Sequence, residues 1–150
     1  MLKIKKIISY VFIILVFSAC EDEDDDTALS ERERIINLLE GTWTVDENMG
    51  IQLDGLDITE QFTDFQLTID KDLSYAIQGA DFETSPWASD GNFILSDDLS
   101  QLIRNDGLEV AYIVSEDGNS MSLSFIFNET NNHGGRSRGI IGDWSFGLKK

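Results

Sequence analysis

The hydrophobic pattern of the chain changes period twice. Residues 7–17 form an almost unbroken apolar run, Ile35, Ile36, Leu38 and Leu39 recur at helical spacing, and apolar and polar residues alternate from Thr42 onward. A period of two puts one face of a strand in a core and the other in water. It runs through residues 42–46, then Phe65, Leu67 and Ile69, then Leu73, Tyr75 and Ile77. Phe93 and Leu95, Leu102 and Arg104, and Leu108, Val110, Tyr112 and Val114 continue it. The clearest case sets Met121, Leu123, Phe125 and Phe127 against Ser120, Ser122, Ser124 and Ile126. A last run over residues 140–149 carries Gly142, Trp144, Phe146 and Leu148 on one face. Lys71-Asp72, Asp106-Gly107 and Asp117-Gly118 punctuate the runs as turns. The pattern predicts an all-β domain: an antiparallel up-and-down barrel of about eight strands, or a strongly bent sandwich. Closing the last strand on the first removes edges that would otherwise aggregate. Ahead of the strands, Ser30 and Glu33 have capping-box spacing and predict one short helix over residues 30–40.

The first 26 residues read differently. Lys3, Lys5 and Lys6 precede the apolar run, and Ser18-Ala19 leads into Cys20, so residues 1–19 have the layout of a secretory signal. Residues 7–19 are too few for a membrane-spanning helix, which needs about 20, and six acidic residues follow at 21–26. Cys20 is the only cysteine. In an exported protein it has no internal disulfide partner, so it is either a stray thiol or a modified residue. Phe17-Ser18-Ala19-Cys20 resembles the lipobox of bacterial lipoproteins, with Phe17 where that motif usually has Leu. The resemblance implies cleavage before Cys20 and lipidation of its thiol. Several acyl chains, at about 0.8 kcal/mol per buried methylene, would hold it in a bilayer. Taken alone, residues 20–29 are a solvated tether able to span roughly 30 Å when extended. Their acidic run also resembles the surface-export signal of Bacteroidota lipoproteins, which implies an outer-membrane protein of the cell envelope that faces outward.

Charge narrows the partners. The formal net charge is −17, and removing residues 1–19 leaves eight basic residues against 28 acidic ones, a charge of −20. Such a chain lacks the basic face that nucleic acid or an anionic membrane surface needs. No D-x-[DN]-x-[DN]-G run with its distal Glu offers a calcium loop. Residues 30–150 suit one domain with an ordinary core, expected to be a monomer.

Gly41-Thr42-Trp43 resembles the G-x-W opening of lipocalin-like barrels, and residues 139–150 resemble the closing strand of lipocalin-like domains in Bacteroidota lipoproteins. The resemblance implies that Trp43 plugs the barrel floor and that a late arginine, Arg138 or Arg136, packs across its ring. From the residues alone Trp43 is equally plain core. The inward set (Phe65, Leu67, Tyr75, Phe93, Tyr112, Met121, Phe125, Trp144, Phe146) is apolar and aromatic. Small barrels either fill that space or hold one small ligand. In a cup, Trp87, Tyr75 and Tyr112 would be its ligand contacts. Segment 80–91, with Pro86 and Trp87, reads as a loop over the barrel mouth; its tryptophan either meets a sugar or apolar ligand or anchors the loop by burial. His133 is the only histidine, with no second His or Cys for a metal, no nucleophile elbow and no phosphate loop. No enzyme and no cofactor are therefore expected. The expected function is a lipid-anchored extracytoplasmic binding or interaction module, its partners a small apolar molecule or an envelope protein. The alternative is a structural envelope lipoprotein with a filled barrel.

Overall fold

The computed structural model describes residues 23–81, 84–128 and 140–150. Helix α1 (Glu23–Leu39) precedes β1 (Gly41–Val45), β2 (Ile51–Leu53), β3 (Leu56–Asp57) and a 3-10 turn at Thr59–Phe62. The remaining strands are β4 (Gln66–Ile69), β5 (Ser74–Gln78), β6 (Asp90–Leu95), β7 (Gln101–Arg104), β8 (Glu109–Val114), β9 (Ser120–Phe127) and β10 (Gly142–Lys149). Strands β1, β4 and then β5 to β10 pair antiparallel in sequence order, and β1 pairs with β10 to close a ring of eight. The alternation predicted this barrel.

Two features depart from expectation. The helix starts at Glu23 rather than Ser30, so the segment read as an extended tether is helical from that point. Ser30 lies inside the helix and does not begin it. Secondly, β1 and β2 are two halves of one edge. Thr44 and Val45 lie opposite Lys149 and Leu148, and Ile51 and Leu53 lie opposite Phe146 and Trp144. Residues 46–50 bulge out between them, tied to one strand residue: Asp46 N–H donates to the Gly147 carbonyl (2.9 Å) and Gly147 N–H to that of Gly50 (2.8 Å). A Cβ on Gly147 would come within 2.1 Å of the Met49 Cβ, so only glycine admits this crossing.

Four hairpins share one turn chemistry. Asp72, Asp98, Asp106 and Asp117 each accept the backbone N–H two residues on, from Ser74, Ser100, Leu108 and Asn119, at 3.0–3.2 Å. The residue between has positive φ each time: Leu73 (62°), Leu99 (59°), Gly107 (85°) and Gly118 (67°). An aspartate bonding its own backbone two residues on stabilises a tight turn.

The helix packs Ile35 and Leu39 against the end of the barrel that carries the 70–73, 96–99 and 115–118 turns. There the Trp43 Nε1 donates to the Leu39 carbonyl (2.8 Å), and the Lys150 Nζ donates to that of Leu38 (2.9 Å), satisfying carbonyls the helix leaves open. Among the described residues, no helix is long and apolar enough to cross a membrane.

Candidate functional site

The barrel interior was the first candidate. Of the nine residues read as inward, eight are buried; Tyr112 is partly buried, its hydroxyl donating to the Leu99 carbonyl at 2.5 Å. Trp87 comes from the connection between β5 and β6, opposite the helix, and is fully buried. Its ring meets Tyr75, Phe93, Phe125 and Phe146 edge-on, with centroids 5.4–6.3 Å away. Phe146 continues the packing into Phe62, Phe65 and Trp144. The loop over the mouth thus buries its tryptophan, and no exposed indole is offered to a sugar. Tyr75 and Trp87 are brought together, and burial pushes the Tyr75 hydroxyl up to about 12. Tyr112 stands apart, beside the 96–99 turn.

Arg104, on β7, holds this plug. In phase with Leu102, it turns inward and is 2% exposed. Its Nε and Nη2 donate to the two Asp106 carboxylate oxygens (2.8 and 2.5 Å), its Nη1 donates to the Pro86 carbonyl (2.7 Å), and its guanidinium lies 5.7 Å from the Trp87 ring centroid. Burial alone would raise the Asp106 carboxyl; the hydrogen bond and charge of Arg104 outweigh it and hold that carboxyl below its ordinary value. Sequence reasoning passed over Arg104, although its alternation with Leu102 was the available signal. Among the described residues, Tyr75 Oη and Trp87 Nε1 are buried without a hydrogen-bond partner.

At the helix end Trp43 is likewise fully buried. The cation over its ring is Lys150, with Nζ 4.6 Å from the centroid. Arg136, Arg138 and His133 lie outside the described residues, as does Cys20.

The barrel wall opens beside β1. The β1–β4 ladder ends at Thr44 opposite Gln66, and the 3-10 turn fills the space above it. A cleft of about 730 Å³ lies there, with Val45, Phe62 and Phe65 in its lining and Glu47, Glu60 and Asp64 among its polar walls. It is shaped by a close crossing: a Cβ on Gly79 would fall 1.9 Å from the Asp64 carbonyl oxygen, and Gly79 has φ +69°. A shallower groove of about 640 Å³ runs along the outer side of β8 and β9, past Glu109, Ala111 and Ser124. Among the described residues no three His, Cys, Asp or Glu side chains are placed to hold a metal ion.

These features define a closed antiparallel β-barrel whose interior carries its own aromatic side chains. Compared with protein-family models, curated proteins and solved structures, the chain matches none.

Proposed function

We propose that this chain is a lipid-anchored, extracytoplasmic interaction module whose barrel is a filled scaffold and whose working surface is its exterior. The observation that carries this reading is Trp87. An indole fully buried among Tyr75, Phe93, Phe125 and Phe146 takes the volume that a small apolar ligand would need. The lipocalin-like resemblance agrees with the barrel, and the signal-like residues 1–19 with Cys20 supply the anchor and the envelope address. The strongly acidic exterior suits a soluble module held off the bilayer surface.

Native mass spectrometry of the full chain, extracted from membranes in mild detergent, tests the scaffold. The expected mass is that of the lipidated protein alone. A stoichiometric additional small molecule would overturn the filled-barrel reading and make the interior a cup. The anchor has its own test: Cys20→Ala is expected to abolish labelling by a fatty-acid analogue, and undiminished labelling would refute the lipobox.

A further inference from the structure

We infer that the cleft between β1 and β4 docks an extended segment of a partner protein bearing lysine or arginine. This deepens the proposal of an exterior working surface and rests on it. Phe62 and Phe65 are 5% and 1% exposed and pack edge-on at 6.0 Å, so they back the cleft from within the barrel core and make it rigid. Its volume of about 730 Å³ is within the range of specific binding sites, roughly 300–1,000 Å³. Glu47, Glu60 and Asp64 stand on its walls, and among the described residues no lysine or arginine lines it. None of the three forms an ion pair with a described basic residue.

A partly apolar cleft whose carboxylates have no described basic partner suits a group that is apolar along its stem and cationic at its tip. Lysine and arginine side chains have that form: the methylenes lie against Val45 and the threonine methyls of the walls while the charge reaches an acid. The threonines and glutamines of the walls, Thr44, Thr63, Gln66 and Gln78 among them, can meet backbone N–H and C=O groups of an extended segment. A net charge of −17 on the whole chain steers such a segment in and makes a second copy of this chain a poor occupant.

The test titrates the full chain in detergent with a fluorescent ten-residue peptide alternating lysine and leucine, read by anisotropy at two salt concentrations. A photo-crosslinking group on the peptide maps its contacts. Three chains are compared: wild type, Glu47→Gln/Glu60→Gln/Asp64→Asn, and a control that removes three exposed acids elsewhere, Glu33→Gln/Asp97→Asn/Glu116→Gln. Unchanged melting curves check that the variants fold. The expected result is an affinity loss of at least tenfold in the cleft variant and no more than about threefold in the control, with crosslinks falling in residues 44–47 and 59–66. Equal losses in both variants would mean diffuse charge attraction and overturn the site, as would an absence of binding to wild type. Competition by free spermidine at the peptide's own concentration would overturn the polypeptide in favour of a small polyamine. A tenfold gain on Arg136→Gln/Arg138→Gln would assign the cleft to the chain's own arginines, and peptide-free dimers would assign it to a second copy. None of these outcomes depends on whether the barrel interior is filled, so a ligand found there by mass spectrometry would overturn the scaffold reading alone.

Discussion

The two buried tryptophans with cations over them are held in opposite ways. Trp43 is fixed locally: its indole N–H reaches the helix carbonyl four residues back, and Lys150 both caps the helix and covers the ring. Trp87 is fixed from a distance. Arg104, on a neighbouring strand, grips the Pro86 carbonyl beside it, while the indole N–H has no partner. The first arrangement satisfies every polar group it buries. The second accepts an unpaired donor, worth about 1–3 kcal/mol, to place a large ring at the centre of an aromatic cluster. Burial of apolar area fills this barrel even where hydrogen bonding is incomplete.

The largest expected effects come from removing either ring. Trp43→Ala and Trp87→Ala should each lose about 3–5 kcal/mol of stability, measured by urea unfolding. A loss below about 1 kcal/mol at either site would mean that its ring is not core. Indole added to Trp87→Ala should restore melting temperature by refilling the cavity, as mass action requires for a ligand bound to the folded state. Next comes the latch. Asp106→Ala strands the Arg104 guanidinium, whose side chain is 1% exposed. Breaking a buried pair costs about 3–5 kcal/mol, and the 19% exposure of Asp106 brings the expectation to about 2–3 kcal/mol. Double substitution Arg104→Leu/Asp106→Leu should recover much of it; failure to recover would mean that Arg104 holds the plug through Pro86 more than through its charge pair.

The finer contrast is in the indole nitrogens. Trp43→Phe gives up the bond to Leu39, whereas Trp87→Phe has no bond to lose and removes an unpaired donor. Trp43→Phe should therefore be less stable than Trp87→Phe by about 1 kcal/mol. Equal losses would erase the difference between the two ends.

Much of the barrel was legible because strands facing water on one side must alternate, and alternation survives in the sequence. Phe65, Leu67 and Ile69, then Leu73, Tyr75 and Ile77, then Met121, Leu123, Phe125 and Phe127 all lie in the core, and Ile126, set on the other face, is exposed. Legibility failed where geometry broke the period. Residues 46–64 hold a bulge, a small hairpin and a 3-10 turn, and none of these repeats every two residues. At 98–99 a leucine takes the positive φ and no Asp-Gly pair marks the turn, so it escaped notice; Leu73 does the same after Lys71-Asp72, where the charged pair between two alternating runs gave the turn away. Asp106-Gly107 and Asp117-Gly118, built the same way, were plain. Arg104 followed the alternation but reads as polar, and its burial is tolerable only with Asp106 two residues on and the Pro86 carbonyl, which folding brings close. Lys150 reaches Trp43 because β10 ends against the helix, a placement that no local pattern announces; Arg136 and Arg138, expected at that ring, lie outside the described residues.

The smallest predicted effect concerns the turns at the helix end. Asp98 is held down to about 2 by the hydroxyls of Ser96 and Ser100 and by the Ser100 N–H. Its ordinary value of 3.8 applies in the unfolded chain. Because the folded value is the lower one, the unfolded chain takes up this proton first as pH falls. The contribution is complete above about pH 4 and disappears as pH drops towards 2. Asp98 is exposed, so the effect is small. Asp98→Asn keeps an oxygen for the Ser100 N–H but removes the titrating group. The fall in melting temperature between pH 4 and pH 2 should therefore be smaller in Asp98→Asn than in wild type. An identical fall in the two would show that this turn is held by its backbone bonds, with the carboxylate charge contributing nothing, and would leave the other lowered carboxylates, Asp72, Asp117 and Asp106 among them, to explain the acid limb.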